Sequence, residues 1–102
     1  MLLSDYKVYM EKNWDKIGYV LAGKYRIQVL LSLNERPMTP KDISRRTNLY
    51  LSHVSLTIKE LTKSGLVECL TPNLRRGRIY GLTEMGKSIA TEVNEREHWR
   101  RG

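Results

Sequence analysis

The strongest constraint on the fold lies in residues 39–70, which read TPKDISRRTNLYLSHVSLTIKELTKSGLVECL. Two stretches of helical character flank Asn48, a residue type that tolerates the positive φ of a tight turn. Gly65 follows the second stretch, and glycine often ends a helix in the left-handed conformation. The pattern predicts two short helices joined by a tight turn and followed by a strand.

The first of these helices carries a clear start signal. Thr39 is the predicted N-cap, Pro40 occupies the first helical position, where its missing N–H costs nothing, and Asp42 completes a pattern like a capping box. Ile43 is the apolar anchor of the helix. Ser44 is small enough to let a second helix cross closely, which is the helix-turn-helix arrangement.

The second helix is predicted to begin at Ser52, whose hydroxyl can accept a hydrogen bond from the first turn. Leu51 before it and Leu56 inside it fit a hydrophobic staple. Three apolar residues at helical spacing form the predicted buried stripe: Val54, Ile58 and Leu61.

The residues of the second helix that point away from this stripe are Ser52, His53, Ser55, Leu56 and Lys59. A short helix with a thin apolar seam and small, donor-bearing outer side chains fits the major groove of DNA. On this face, His53 is better interpreted as a phosphate or base contact than as a metal ligand.

A β-hairpin is predicted after the two helices. Leu66–Leu70 is predicted to form one strand and Arg78–Leu82 its return, since the connection TPNLRRGR is rich in turn formers. Three arginines crowd this tip: Arg75, Arg76 and Arg78. They predict contact with DNA phosphates or the minor groove, the alternative being a solvated loop.

The charge of the 102-residue chain is unevenly distributed. The net charge is +7, from 18 basic and 11 acidic residues. Between Thr39 and Leu82, eight basic residues stand against three acidic ones, an excess of five. The basic residues there are Lys41, Arg45, Arg46, Lys59, Lys63, Arg75, Arg76 and Arg78. Such a concentration favours nucleic acid as a partner over a merely solubilising surface.

The remaining segments are predicted to be helical. Lys24–Glu35 is the predicted central helix, because its apolar residues (Tyr25, Ile27, Val29, Leu30, Leu31, Leu33) cover more than one face. Residues 14–22 predict a short helical piece, and residues 1–12 an amphipathic helix or arm. Thr83 is predicted to cap a last helix with Ile89, Ala90 and Val93 on its apolar side. We expect Trp99 to pack on a partner subunit or on the N-terminal arm.

The segment 39–70, followed by LRRGRIYGLTEMGK, resembles the winged-helix transcription regulators of the ArsR-like and MarR-like group, particularly their small archaeal members. The resemblance covers Gly23 to Ala90, and LTEMGK is similar to an element that these proteins place after the wing. It implies a winged-helix fold, sequence-specific binding of duplex DNA, and a homodimer. Asn48 replaces the commoner glycine of the turn. Leu56 stands where the group commonly has a polar or arginine side chain, so the group's base contacts are not transferred.

The expected fold class is α+β, mostly α: a winged helix-turn-helix with a two-stranded wing and flanking N- and C-terminal helices. We expect one domain over residues 1–102, with an N-terminal arm (1–22), a winged-helix core (23–90) and a C-terminal helix or tail (91–102). No apolar run approaches the ~20 residues of a membrane span, and no signal peptide is recognisable. We therefore expect a cytoplasmic protein that does not bind membranes.

No pattern of residues supports catalysis, a metal site or a cofactor, so an enzyme is not expected. Cys69, the only cysteine, excludes an intrachain disulfide and is interpreted as a buried, inert thiol. A DNA-binding regulator leads the possibilities. A winged-helix module that binds protein, or a sequence-indifferent nucleic-acid binder, are the alternatives. The expected DNA-binding residues are Lys41, Arg45, Arg46, Ser52, His53, Ser55, Leu56, Lys59, Arg75, Arg76 and Arg78.

Overall fold

The computed structural model describes residues 14–101, with side chains up to residue 97. Over that range five helices and one antiparallel hairpin follow one another. They are α1 (residues 14–21), α2 (Lys24–Glu35), α3 (Pro40–Thr47), α4 (Leu51–Lys63), β1 (Val67–Cys69), β2 (Tyr80–Leu82) and α5 (Glu84–Arg101). This is the expected winged helix-turn-helix. The arm predicted for residues 1–12 and the packing predicted for Trp99 lie outside the described residues.

Helix α2 lies at the centre of the fold, as its apolar pattern predicts. It packs against α3, α4, α5 and β2, and Val29, Leu30 and Leu33 are buried in the core between them. Tyr25, in the first turn of α2, is the exception to the predicted burial, since it is 38% exposed.

The turn between α3 and α4 forms as predicted, with one further contact. The Thr39 hydroxyl accepts a hydrogen bond from the Asp42 amide at 3.2 Å, and Asn48 has a φ of 61°. Ser44 does more than allow close packing. Its hydroxyl donates to the carbonyl oxygen of Leu49, which fixes the chain as it leaves the turn.

The start of α4 differs from the prediction. Tyr50, in an extended conformation, is the N-cap residue and makes no side-chain capping bond, so Ser52 lies inside the first turn. The predicted staple is also wrong, because Leu51 and Leu56 are 42% and 60% exposed. With the cap at Tyr50, the two staple positions fall instead on Leu49, which packs against the core, and on the buried Val54.

The end of α4 at Gly65 confirms the predicted glycine stop. Gly65 has a φ of +80°, and its amide donates to the carbonyl of Thr62 at 3.0 Å. The amide of Leu66 donates to the carbonyl of Leu61 at 3.0 Å. These two bonds form a Schellman motif, and the burial of both leucines adds its usual apolar contact.

The wing strands are shorter than predicted, and a third segment joins them. The register pairs Val67 with Leu82 and Cys69 with Tyr80. Tyr80 also exchanges two backbone hydrogen bonds with Met38, of 2.9 and 3.0 Å, on its other side. The sequence analysis missed this bridge, which attaches the hairpin to the segment between α2 and α3.

Contacts at the junction between the wing and α5 explain why threonine and glycine stand at the two ends of the Thr-Glu-Met-Gly sequence of residues 83–86. The Thr83 hydroxyl caps α5 by accepting from the Gly86 amide at 3.0 Å, and it donates to the carbonyl of Gly65 at 2.7 Å. The carbonyl of Leu66 accepts from the Thr83 amide at 3.1 Å. A Cβ atom at position 86 would lie 2.0 Å from the same Leu66 oxygen, so glycine is required there.

This close approach makes Gly86→Ala a strong test of the fold. We expect the free energy of unfolding to fall by about 2 kcal/mol, because the added methyl collides with backbone that cannot rotate away. Gly18→Ala in α1 is the control, since no atom lies within 4 Å of its added Cβ, and it should stabilise by about 0.5–1 kcal/mol. Urea unfolding measures both, and equal effects would contradict the packing described for Gly86.

Candidate nucleic-acid interface

The outer face of α4 carries most of the residues predicted to lie there. Val54, Ile58 and Leu61 are buried as expected. Four of the predicted outward residues are exposed: Ser52, Ser55, Leu56 and Lys59. The two serine hydroxyls make no hydrogen bond within the described part of the chain, so their donors and acceptors are available to a ligand.

His53 differs from these four residues. It is half-buried on the flank of α4 that faces α2, and its ring stacks on that of Tyr25 with 4.8 Å between centroids. Tyr50 approaches the same imidazole edge-on at 5.8 Å. The stack arises because the first turn of α2 crosses beside α4, a neighbourhood that the helical pattern alone does not show. The predicted free outer-face position of His53 is therefore corrected.

The wing and α3 enclose a shallow depression beside α4. Lys41 and Arg45 from α3, Ser55 from α4, and Arg75 and Arg76 from the wing all line it. Arg78 lines it as well, although its Nε donates to the carbonyl of Leu74 within the loop. The structure thus brings cationic residues of α3 together with those of the wing, which lie thirty or more positions further along the sequence.

Most of these cations are unpaired. Within residues 14–97, the side chains of Lys41, Lys59, Lys63, Arg75 and Arg76 form no ion pair or hydrogen bond. Arg45 has only a weak partner, with 3.8 Å between its Nη1 and a carboxylate oxygen of Asp42 in the same helix. Unpaired cations on one side of the protein produce a positive potential suited to phosphate.

Arg46 does not belong to this group. It faces α2, where its guanidinium donates two hydrogen bonds to the carboxylate of Glu35, the one from Nε at 3.0 Å. These bonds lower the pKa of Glu35 below its usual value and raise that of Arg46. Because its donors are engaged in holding α3 to α2, Arg46 is less suited to DNA contact than the sequence suggested.

Three residues extend the surface beyond the prediction. Tyr50 is 77% exposed beside the N-terminus of α4, and Leu51 lines the depression next to the wing. Lys63 continues the exposed row of Lys59 along α4. A predicted start of α4 at Leu51 instead of Ser52 would have placed Tyr50 and Leu51 at this surface.

Cys69 lies on the wing strand, where it lines a second depression with Lys59, Lys63 and Arg78. It is half-buried, and its predicted full burial is corrected because the three-residue strand lies at the edge of the core. Among the described residues, no three His, Cys, Asp or Glu side chains lie close enough to hold a metal ion. None of the described helices has the length and apolar character that crossing a membrane requires.

Residues 23–68 match the family model for the bacterial regulatory protein, arsR family. The segment runs from the N-cap of α2 into β1, and therefore contains the complete helix-turn-helix. A comparison of the sequence with curated proteins finds no match.

Solved structures provide the second comparison. NMB1585, a MarR family regulator from Neisseria meningitidis, is 28% identical over 93% of this chain and 68% of that one, with a TM-score of 0.69. The homodimeric winged helix-turn-helix DNA-binding domain Mb0332 from Mycobacterium bovis is 24% identical over 96% and 92%, with a TM-score of 0.64. A ZitR variant from Lactococcus lactis is 21% identical over 74% and 53%, with a TM-score of 0.67.

The chain spans about half the length of the ZitR chain that it matches. The likeness to these structures establishes the winged-helix fold, and the family model matches the segment that contains its helix-turn-helix. Residues 23–68 are therefore similar to the helix-turn-helix of the arsR family and lie within a winged-helix fold, and these likenesses support a DNA-binding transcription regulator.

Proposed function

We propose that this protein is a sequence-specific regulator of transcription that binds double-stranded DNA. Helix α4 enters the major groove, and the wing lies on the phosphate backbone or in the adjacent minor groove. The observation that carries the proposal is that three unpaired cations, Lys41, Arg75 and Arg76, line one depression together with Ser55 of the exposed face of α4.

The described residues divide into two proposed roles. Lys41, Arg45 and the wing arginines bind phosphates and set the orientation of the protein, whereas the exposed face of α4 reads base edges. The base-reading residues are Ser52, Ser55, Leu56 and Lys59. His53 and Arg46 are proposed to position α4 and α3, since both are engaged in contacts inside the protein.

The chain acts as a single domain over residues 1–102 and has no catalytic activity, because the matched family model describes regulators. Its location is the cytoplasm, where it can reach the chromosome, and it does not bind membranes. An archaeal source is supported only by the resemblance of the sequence to small archaeal members of the group.

Salt dependence of DNA binding tests the roles of the cations. If a dimer neutralises about 6–10 phosphates, the slope of log affinity against log salt should be about −5 to −9. Arg76→Ala should weaken binding to all duplexes alike and reduce that slope by roughly 1 for each wing altered. Arg46→Ala is the matched control and should leave the slope unchanged, because its guanidinium is paired with Glu35. Fluorescence anisotropy measures both variants.

Two outcomes of that titration would contradict the proposal. Absence of binding at low salt, or a slope near zero, would remove the nucleic-acid function. A slope that falls as much for Arg46→Ala as for Arg76→Ala would contradict the division between paired and unpaired arginines.

The preference for particular bases distinguishes residues that read base edges from residues that position α4. Ser55→Ala should cost about 1–3 kcal/mol on the preferred duplex and relax the preference at one base pair. His53→Ala should lower affinity for every duplex by a similar factor, because the lost stack on Tyr25 loosens α4 as a whole. Competition binding against single-base variants of the selected duplex measures this. If His53→Ala relaxed one position and Ser55→Ala none, the two roles would have to be exchanged.

We also propose that the protein forms a homodimer, and two observations support this. The similar Mb0332 domain is homodimeric. In this chain, Trp14 on α1 is 53% exposed, and the guanidinium of Arg96 on α5 lies 4.9 Å from its ring centroid. A two-fold dimer built on α1 and α5 would present two copies of α4 to half-sites about 34–36 Å apart.

Sedimentation at micromolar concentration should show about twice the mass of the chain. Trp14→Glu should shift the protein toward monomer, because a charge would enter the interface. Leu74→Glu is the matched control: it adds the same charge at a similarly exposed side chain, 46%, on the wing, and the dimer should persist. A monomer across the whole concentration range would contradict the proposed dimer.

A further inference from the structure

Exposed apolar side chains concentrate around the N-terminal half of α4. Among the described residues, eight large hydrophobic side chains are exposed, and four of them lie on or directly beside this half-helix. The four are Tyr25, Tyr50, Leu51 and Leu56. Single exposed apolar residues need no explanation, but such a concentration marks a binding surface.

The two leucines flank the serine face of α4. At about 100° per residue, Leu51 and Leu56 point about 140° apart, with Ser55 and Ser52 between them. Leu51 lines the depression between the wing and α3. Leu56 lines a different depression, which lies on the α2 side of α4 and also contains His53. Because serine side chains are short, the leucine methyl groups form two apolar edges around a polar centre.

Neither leucine is needed to start α4 or to fill the core. The positions that bracket the helix start belong to Leu49 and Val54, and the buried side of α4 is complete without Leu51 and Leu56. Exposing them to water is unfavourable, so a ligand that covers them would gain the apolar contact that the fold does not use.

The charges around the leucines indicate which ligand covers them. Unpaired Lys59 lies between the two on α4, and Arg75 and Arg76 border the depression that contains Leu51. A protein partner with an apolar surface would have to bury these cations, whereas duplex DNA supplies phosphates to them. In the major groove, the apolar group on a base edge is the C5 methyl of thymine.

We infer that Leu51 and Leu56 read thymine methyl groups, one on each side of the serine face, so that the preferred duplex carries thymine at two or more contacted positions. This inference rests on the proposed function, since it requires α4 to lie in the major groove. The chemical group that selects the duplex is then the C5 methyl of thymine. The serines between the leucines then provide the hydrogen bonds to the intervening base edges.

The test replaces thymine by uracil, which lacks only the C5 methyl. The full chain first selects its preferred duplex from a random pool, and each thymine of that duplex is then changed singly to deoxyuridine. Because a buried methyl contributes a small apolar gain, we expect about a 3- to 5-fold loss of affinity at each methyl-contacted position and none elsewhere.

Variants then assign each methyl to its leucine. Leu56→Ala should abolish the uracil effect at one position and Leu51→Ala at another, each leaving the other position unchanged. Leu74→Ala, a similarly exposed leucine on the wing, is the control and should keep both effects. The comparison of thymine with uracil in the unaltered protein stands even if Leu51→Ala is unstable.

The outcomes distinguish this inference from the function on which it rests. Selective binding that is insensitive to uracil, or uracil effects that persist in both leucine variants, would overturn the inference and leave a DNA-binding regulator. Equal losses on thymine and uracil duplexes with a lower melting temperature would make the leucines structural and overturn it too. Failure to bind any duplex at low salt would overturn the proposed function itself, and the exposed leucines would then indicate a protein partner.

Discussion

The carbonyl group of Leu66 is the point on which the arrangement of this protein depends. It lies just past the glycine that ends α4, accepts a hydrogen bond from Thr83 at the end of β2, and packs against Gly86 in α5. Helix α4, the wing and α5 are thereby joined through backbone atoms. The proposed function requires α4 to be held within a fraction of an ångström of its working position, and backbone contacts of this kind provide such rigidity.

The second organising feature is the separation of paired from unpaired cations. Arg46 is held by Glu35, and Arg26 stacks on the ring of Tyr19 and lies 3.8 Å from Glu60, so both contribute to packing between helices. The cations around α4 and the wing have no such partners among the described residues, Arg45 and Arg78 apart. A count of charges along the chain treats both groups alike. Because a paired cation is largely offset by its acidic partner, the positive potential is concentrated around the second group, which is smaller and more localised than the count indicates.

Helix α4 starts one residue earlier than predicted, and this changes its exposed surface as well as its boundary. A start at Ser52 would have used Leu51 and Leu56 to brace the helix, whereas the start at Leu51 transfers that role to Leu49 and Val54. The leucines are then exposed next to unpaired serine hydroxyls. The resulting face offers hydrogen bonds and apolar contact side by side, and the major groove also combines polar base edges with thymine methyl groups.

The sequence by itself determined the bounds of α2, the turn at Asn48, the stop at Gly65 and the cap at Thr83. Each depends on φ preference, proline or periodicity, which neighbouring residues carry and which packing does not change. Only the tertiary structure decided that Met38 pairs with Tyr80, that Arg46 meets Glu35, and that His53 stacks on Tyr25. In each case the partners belong to different segments of the fold, and their contacts exist only once those segments have packed together, so no local pattern encodes them.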